Sequence, residues 1–205
     1  MIGIVDYGMG NLGSVTNACR FLDLDARIIT RPEELGACRA VILPGVGAFG
    51  DCMEHLASHG FVGATRDWIA ADKPFLGICV GLQALFEGSE ESPGVAGLGI
   101  LPGCVRKFHA TADCKVPQIG WNRVRAPRGE CPLFKGVPDQ TYFYFVHSYY
   151  AVAAEAGVAA GVSDYAGVTY TAAVWRGNLM AVQFHPEKSQ QWGLQMLKNF
   201  GELAK

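Results

Sequence analysis

Short apolar runs alternate with amphipathic stretches through the first half of the chain. The apolar runs predict β-strands over residues 2–6, 26–30, 39–43 and 73–78. In the stretches between and after these strands the apolar residues have helical spacing. They predict helices over residues 11–22, about 51–58 and 80–86, and a further helix that follows the second and reaches to residue 71. Strands that alternate with helices form a parallel sheet with helices on both faces, and continuous apolar strands suit burial on both sides. The first half is therefore predicted to be α/β.

The second half consists mainly of strand-like runs joined by short turns that contain Gly or Asn. Strands are predicted over residues 100–108, 142–150, 158–163, 169–175 and 179–184, followed by a helix over 190–203. The turn at residues 176–178 would close a hairpin between the last two strands. No linker, repeat or low-complexity segment interrupts the pattern. We therefore expect one three-layer α/β/α domain over residues 1–205, whose parallel sheet is extended by antiparallel strands.

Composition and charge exclude several classes of function. The 205 residues are 50% hydrophobic and 18% charged, with a net charge of −2 and no basic block, which weighs against nucleic-acid binding. No apolar run reaches the roughly 18 residues of a membrane span, and the first residues lack the pattern of a signal peptide. The seven cysteines are odd in number and form no CxxC pair, which weighs against a disulfide framework and a structural zinc site. A cytoplasmic location is expected.

One cysteine lies between two glycines where a predicted strand meets a predicted helix. The sequence Gly77-Ile78-Cys79-Val80-Gly81 is a nucleophile-elbow pattern, with cysteine in the place where hydrolases have serine. Small neighbours allow a sharp turn that exposes the side chain, and a helix amino terminus favours thiolate over thiol. The same pattern also suits a buried cysteine in a tight turn. A nucleophilic role therefore requires a partner base.

A histidine and a glutamate near the C-terminus could supply this base and its orienting group. Gln183-Phe184-His185-Pro186-Glu187 directly follows a predicted strand. A catalytic cysteine needs an imidazole to take up and return its proton, and the imidazole needs a third group to fix its tautomer. Pro186 keeps the segment out of a helix, and residues two apart in an extended segment point to the same side. Glu187 is therefore predicted to reach His185; the alternative is a strand end with a surface glutamate.

Together these motifs resemble the class I, triad-type, glutamine amidotransferases. GICVGLQ at residues 77–83 and QFHPEKS at residues 183–189 carry the resemblance. Further motifs are similar to those of the glutaminase subunits of imidazole glycerol phosphate synthases: DYGMGNL at 6–12, PGVGAF at 44–49, GWNRV at 120–124 and YFVHSY at 144–149. The resemblance covers nearly the whole chain. It implies a flavodoxin-like class I glutamine amidotransferase fold.

The resemblance also implies roles for individual residues. Cys79 would attack the amide carbon of L-glutamine, His185 would act as general base and then as acid, and Glu187 would orient His185. Backbone N–H groups of the oxyanion hole would come from Val46, Gly47 and Val80. The substrate would be contacted by Gln83, Ser148 and Tyr149. Tyr144 and Phe145 are expected in the core, and neither a metal nor another cofactor is expected.

A partner protein is expected because ammonia released into water is largely protonated and is then no nucleophile. The family docks onto a (β/α)₈-barrel cyclase and passes ammonia through the barrel, and the complex makes imidazole glycerol phosphate and AICAR in histidine biosynthesis. The implied state is a heterodimer with this cyclase, with Asn11, Trp121 and Asn122 at the interface. Glutaminase activity is expected to be weak until the cyclase holds its nucleotide substrate, with the gating at Val46.

Two further motifs would give the chain another function. Residues 8–13 match the G-x-G-x-x-G of dinucleotide-binding proteins, but Glu33, the acid about twenty residues on, follows a proline in a helical turn. His55 and His59 have metal-ligand spacing on a predicted helix, but the sequence offers no glutamate base between them and no third ligand. Neither motif is expected to be functional. The acidic pair at residues 90–91 is predicted to be solvated surface.

Other functions remain open at this point. A duplicated homologue that supplies ammonia for surface-sugar modification would carry the same motifs. Glutaminase subunits for pyridoxal phosphate, anthranilate or guanylate synthesis are further alternatives, but the PGVG and GWN motifs favour histidine biosynthesis. Outside the enzymes, a flavodoxin-like binding module with a redox-sensing cysteine would have the elbow and would not need the His-Pro-Glu segment.

Overall fold

The apolar runs of the first half form parallel β-strands, as the sequence predicts. The computed structural model describes residues 1–112, 114–126, 130–155 and 157–204. The first strands are β1 (Ile2–Val5), β2 (Ala26–Ile29), β3 (Ala40–Gly45) and β4 (Phe75–Cys79). The helices are α1 (Leu12–Phe21), α2 (Phe49–Ser58), α3 (Phe61–Ala70) and α4 (Val80–Gln83), with a 3-10 helix at Pro32–Ala37. The side chain of Asn11 caps α1 by accepting a hydrogen bond from the Ser14 backbone N–H at 3.3 Å.

The second half supplies shorter, mostly antiparallel strands and the last helix. These are β5 (Gly88–Ser89), β6 (Gly103–Lys107), β7 (Gln118–Val124), β8 (Thr141–His147), β9 (Tyr149–Ala153), β10 (Ala159–Tyr165), β11 (Val168–Arg176), β12 (Leu179–Val182) and α5 (Gln190–Glu202). Two residues, Gly177 and Asn178, close the hairpin between β11 and β12, which confirms the predicted turn. Within the described part of the chain, each helix is too short or too polar to cross a lipid bilayer.

The main sheet is parallel in its first half and antiparallel beyond it. In the described residues it contains ten strands in the order β2-β1-β3-β4-β12-β11-β9-β6-β5, and β10 pairs with β11. In this order β2 lies on one side of β1, and β4 lies on the opposite side of β3. The connection from β1 to β2 therefore crosses the sheet in the opposite direction to the connection from β3 to β4. Because such crossovers are right-handed, α1 lies on one face and α2 and α3 lie on the other. α1 accordingly contacts α5, whereas α2 contacts α3 and α4. The predicted three-layer fold is confirmed.

The strand predicted over residues 142–150 is wrong in one respect, because it is two strands in two sheets. β8 ends at His147 and β9 begins at Tyr149, and Ser148 lies at the break. β8 leaves the main sheet and pairs antiparallel with β7, a strand that we did not predict. The inner face of β8 holds buried Phe143 and Phe145, and its outer face is more exposed. Tyr144, expected in the core, is only half-buried because it points to that outer face.

The helix predicted over residues 80–86 is also shorter than expected. α4 has four residues, and the N–H groups of Leu85 and Phe86 bond three residues back, to Leu82 and Gln83. The chain must turn tightly there because Glu87 already pairs with Gly103 at the start of β6. A helix of this length adds little to the stability of a thiolate at its start. The reactivity of Cys79 therefore depends on its side-chain partners.

Candidate active site

Three neighbouring parallel strands end at one edge of the sheet and bring the predicted site residues together. β4 lies between β3 and β12, and the register pairs Gly45 of β3 with Cys79 and Val182 of β12 with Ile78. The segment after Gly45 therefore runs on one side of Cys79. The segment after Val182, which leads to His185, runs on the other. Ligands of open α/β sheets bind at this carboxyl edge.

The backbone at Cys79 forms a tight elbow that only its glycine neighbours allow. Cys79 has φ 57° and ψ −110°, an uncommon conformation for a residue with a side chain. A Cβ atom at Gly77 would lie 2.6 Å from the carbonyl oxygen of Gly81, and one at Gly81 would collide with the carbonyl oxygen of Leu43. Both glycines are thus required by close backbone approach. The predicted nucleophile elbow is present, and its strained backbone is typical of functional sites.

His185 and Glu187 form a buried pair beside Cys79. The distance from His185 Nδ1 to Glu187 Oε1 is 2.8 Å, and the side chains are 5% and 1% exposed. His185 itself is extended, with φ −102° and ψ 96°, and a 3-10 turn at Pro186–Lys188 then carries Glu187 back towards the ring. The contact arises from this turn and not, as we predicted from the sequence, from two residues on one side of an extended segment.

The environment of His185 favours its protonated form. Burial alone would lower the pKa of the imidazole, but hydrogen bonds to Cys79 and Glu187, together with their charges, outweigh burial and raise the pKa to about 10. Because Glu187 occupies Nδ1, the other nitrogen, Nε2, is the one left for the thiol. A thiolate beside an imidazolium is the reactive form of a cysteine nucleophile.

Cys79 and His185 open onto a cavity of about 340 Å³ that all six of the predicted substrate and oxyanion residues line. Cys79 and His185 lie at its wall, and Glu187 lies behind His185. The other predicted residues on the wall are Val46, Gly47, Val80, Gln83, Ser148 and Tyr149. Residues that we did not predict also line it: Glu91, Pro117, Val146, His147 and Lys188. Among the residues that the structure describes, no group of three or more His, Cys, Asp or Glu could hold a metal ion.

Glu91 is part of the cavity and not of the solvated surface that the sequence suggested. Its carboxylate accepts a hydrogen bond from the backbone N–H of Phe49 at 2.7 Å, and the hydroxyl of Ser92 accepts one from Gly50 at 3.0 Å. These groups cap α2, whose own N-cap residue, Ala48, has no side-chain oxygen. No local sequence pattern indicates this role, because Glu91 reaches α2 across 42 positions of the chain.

His147 is a buried neutral histidine on the same wall. Its Nδ1–H donates to the carbonyl oxygen of Tyr149 at 2.8 Å, and Nε2 lies 3.4 Å from the hydroxyl of Tyr170. Burial lowers its pKa to about 4, the charge of His185 acts in the same direction, and the bond to Tyr149 opposes both. Near neutral pH, His147 therefore holds no extra proton. It fixes the chain where β8 passes into β9.

Of the three residues expected at a partner interface, Trp121 lies on an exposed apolar face, whereas the side chain of Asn11 caps α1. Ile119 and Trp121 of β7 and Tyr142 and Val146 of β8 are 63%, 46%, 53% and 37% exposed. They lie on one side of the two-stranded sheet, opposite the side that packs on the core. We call these four residues the outer strip. Asn122 points away from it, and its side-chain amide donates to the carbonyl oxygen of Asp164 at 3.0 Å.

The two other motifs of the sequence have structural explanations. In the loop before α1, Gly8 packs against the ring of His55, whose Nδ1 bonds to the carbonyl oxygen of Tyr7 at 3.1 Å. His59 Nδ1 bonds to the carbonyl oxygen of His55 at 2.9 Å. Glu33 lies in the first turn of the 3-10 helix, as expected. The imidazoles thus stabilise the start of the chain and the end of α2.

Comparison with known proteins agrees with this geometry. The chain matches the family described as glutamine amidotransferase class-I over residues 4–203. Imidazole glycerol phosphate synthase subunit HisH of Moorella thermoacetica is 51% identical over 204 residues, covering 100% of this chain and 95% of the relative. The HisH subunit of Thermococcus kodakarensis is 50% identical over 207 residues, covering 99% and 100%. The solved structure of PurLQS from Thermotoga maritima has a TM-score of 0.80 at 17% identity, covering 100% of this chain and 98% of that one, which is evidence for the fold alone.

Proposed function

Because the chain belongs to the class I glutamine amidotransferases and, within them, to the HisH subunits of imidazole glycerol phosphate synthase, we propose that Cys79, His185 and Glu187 are its catalytic triad. The chain is a glutaminase that supplies ammonia for imidazole glycerol phosphate synthesis in histidine biosynthesis. The main support for this assignment is the buried His185–Glu187 pair beside a cysteine at a strained elbow. The names of these relatives favour the histidine pathway over surface-sugar modification.

The first half of the reaction forms a covalent intermediate. The Cys79 thiolate attacks the amide carbon of glutamine, and the electron pair of the carbonyl bond moves onto oxygen. We assign the stabilisation of that oxyanion to the backbone N–H groups of Val46, Gly47 and Val80, since the three residues line the cavity together with Cys79. His185 gives its proton to the leaving nitrogen, ammonia departs, and a glutamyl thioester stays on Cys79.

The second half of the reaction returns the enzyme to its starting state. Water attacks the thioester carbon while His185 takes one of its protons, and the carbon–sulfur bond breaks to give glutamate and the thiolate. Glu187 keeps the ring of His185 in one orientation and stabilises the imidazolium in both halves. Ammonia and glutamate are the two products of one glutamine and one water.

The remaining cavity residues suit the amino-acid end of glutamine. Gln83, Ser148 and Tyr149 line the same cavity as Cys79 and His185, and the carboxylate of Glu91 offers a negative charge for the α-ammonium group. Glu91 also caps α2 directly after the proposed oxyanion segment. Binding of the substrate amine at Glu91 would therefore occur close to the N–H groups that stabilise the transition state.

We assign the outer strip to the cyclase partner, a (β/α)₈ barrel, in a heterodimer. An exposed apolar surface of this kind is typical of a protein interface, and Trp and Tyr are common at the centres of such interfaces. Val146 belongs both to the strip and to the cavity wall, so a partner seated on the strip would lie next to the site where ammonia forms. We assign Asn11, which caps α1, to the edge of this interface, and Asn122 supports the strand that carries Trp121 by its bond to Asp164.

We also propose that residues 1–205 form a single amidotransferase domain in the cytoplasm. Helices from the two ends of the chain, α1 and α5, contact each other. The thiols of Cys19, Cys38, Cys52, Cys79, Cys104 and Cys114 are free, as is usual in a reducing compartment.

The test of this function is glutamate release by the chain purified with a cyclase subunit, measured with and without the nucleotide substrate of the cyclase. The complex is expected to release glutamate many-fold faster when that substrate is bound. Cys79→Ala should abolish release while the complex still forms. Cys19→Ala, which removes a buried thiol outside the cavity, is the matched control and should retain activity. Substantial turnover by the Cys79→Ala complex would disprove the assignment of the nucleophile.

A further inference from the structure

A second side chain besides His185 contacts the sulfur of Cys79. The side chain of Gln183 is completely buried, and its Nε2 lies 3.7 Å from Cys79 Sγ. The parallel register of β4 and β12 explains this position, because the pair after Ile78 and Val182 is Cys79 and Gln183. His185, two residues further on, approaches the same sulfur. One strand end thus supplies two groups to the nucleophile.

The hydrogen-bond network fixes which end of the Gln183 amide faces the sulfur. Gln83 Nε2 donates to the carbonyl oxygen of Tyr149 at 3.0 Å, and since a carbonyl only accepts, the NH₂ group of Gln83 must lie there. The same Nε2 lies 3.0 Å from the other amide, so the atom that faces it is the oxygen of Gln183. The NH₂ group of Gln183 is then left to face Cys79. The orientation of the Gln183 amide is therefore set by the backbone carbonyl of Tyr149, which can only accept a hydrogen bond.

The NH₂ group of Gln183 and a second neighbour of the sulfur have opposite effects on the protonation of Cys79. The carbonyl oxygen of Val146 lies 4.0 Å from Cys79 Sγ and can accept a hydrogen bond only from the protonated thiol. The hydrogen bond from the Gln183 N–H to the sulfur becomes stronger when the sulfur is negatively charged, because hydrogen bonds to charged groups are about twice as strong as those between neutral groups. The two neighbours therefore favour opposite protonation states of Cys79.

We propose that Gln183 is a further catalytic residue, which holds the Cys79 sulfur as a thiolate and in line with the cavity by donating a hydrogen bond to it. The proposal rests on the proposed function for the reaction, but its chemical content, a donor to the thiolate, can be measured without turnover. Through Gln83 and the Tyr149 carbonyl, the same amide chain ties the nucleophile to the strand proposed to contact the substrate.

The test is the rate at which iodoacetamide alkylates Cys79 as a function of pH, followed by mass spectrometry of the peptide that contains it. Gln183→Met keeps the side-chain volume and removes the donor. We expect the midpoint of the rate–pH curve to move up by about one pH unit, so that alkylation below the midpoint is about tenfold slower, since hydrogen bonds to charged groups contribute about that much. The kcat for glutamine should fall in parallel and recover at high pH.

Gln118→Met is the matched control, because Gln118 is a buried amide that bonds to the Tyr170 hydroxyl and does not contact the sulfur. It should leave the alkylation midpoint where the wild type has it. A midpoint of Gln183→Met that coincides with the wild type would overturn the proposal, even if kcat falls, because a purely structural role lowers kcat at every pH. If Gln183→Met does not fold, Gln183→Asn, which draws the donor away from the sulfur, should give the same upward shift.

The outcomes separate this proposal from the proposed function. If Cys79→Ala retains glutaminase activity, the nucleophile assignment fails while the alkylation result still reports on the Gln183 contact. If Cys79→Ala is inactive and the midpoint of Gln183→Met does not move, the triad stands and the role of Gln183 is refuted.

Discussion

The substitution Glu187→Gln isolates the contribution of the third member of the proposed triad. The Glu187 carboxylate lies 2.8 Å from His185 Nδ1 and is 1% exposed, so water cannot replace the lost charge. A hydrogen bond between buried charged groups contributes about 1.5–3 kcal/mol, and each 1.36 kcal/mol changes a rate by about a factor of ten. If that stabilisation of the imidazolium is lost in the transition state, kcat should fall by about 10- to 150-fold.

The substitution Glu187→Gln should also lower the free energy of unfolding of the chain. Glu187 Oε2 has no hydrogen-bond partner among the described residues. In Glu187→Gln the amide oxygen can still accept from His185 Nδ1, so the NH₂ group takes the place of Oε2 and lacks an acceptor. Both forms leave one buried polar atom without a partner, but the variant exchanges the charged hydrogen bond to His185 for a neutral one, which should lower the free energy of unfolding in urea by about 1 kcal/mol.

Steady-state glutamate release by the complex, with glutamine and pH both varied, is the assay. We expect a lower kcat with a nearly unchanged KM, because Glu187 does not line the cavity. His185→Asn, which removes the base itself, should lose more activity than Glu187→Gln. A Glu187→Gln enzyme with a kcat within twofold of the wild type would refute the orienting role, as would equal tolerance of both substitutions.

Two further predictions concern acid stability and the partner surface. Because burial holds the pKa of His147 at about 4 while an unfolded histidine titrates near 6.5, the unfolded state binds more protons between these values, and stability should fall by up to about 3 kcal/mol as pH drops through that window. His147→Gln should flatten this dependence in urea melts at pH 6.5 and pH 4, and an unchanged slope would contradict the assignment. Trp121→Ala should weaken cyclase binding about 30-fold, the effect of losing about 2 kcal/mol at an interface centre, without lowering the Tm of the free chain. Phe21→Ala, which removes an aromatic ring 74% exposed on α1, should bind the cyclase normally, and equal losses for both variants would count against the outer strip.

The parts of the site that follow from local sequence could be predicted, and the parts that follow from register could not. Cys79 stands between two glycines, and His185 and Glu187 belong to one five-residue segment, so each has a local signal. The contacts of Gln183 and Glu91 arise from pairings across 104 and 42 positions. Sequence spacing gives no information on such distances unless the order and register of the strands are already known.

The fold shows the same division. β1, β3 and β4 were predicted because each is a continuous apolar run buried on both faces, whereas the edge strand β2 is partly exposed. β7 was missed because its sequence, QIGWNRV, mixes Gly, Asn and Arg with apolar residues, and one of its faces remains exposed on this chain. The break at Ser148 was missed because apolar residues continue through it, while the chain changes sheet. A strand with one exposed face does not have the sequence pattern of a strand buried on both faces.

The most direct test of the central claim is covalent labelling by a glutamine analogue that carries a diazoketone in place of the amide, with the labelled cysteine identified by mass spectrometry. Of the seven cysteines, only Cys79 should carry the adduct, excess glutamine should protect it, and loss of glutaminase activity should parallel labelling. A label on another cysteine, or equal inactivation of a variant that lacks the Cys79 thiol, would contradict the account.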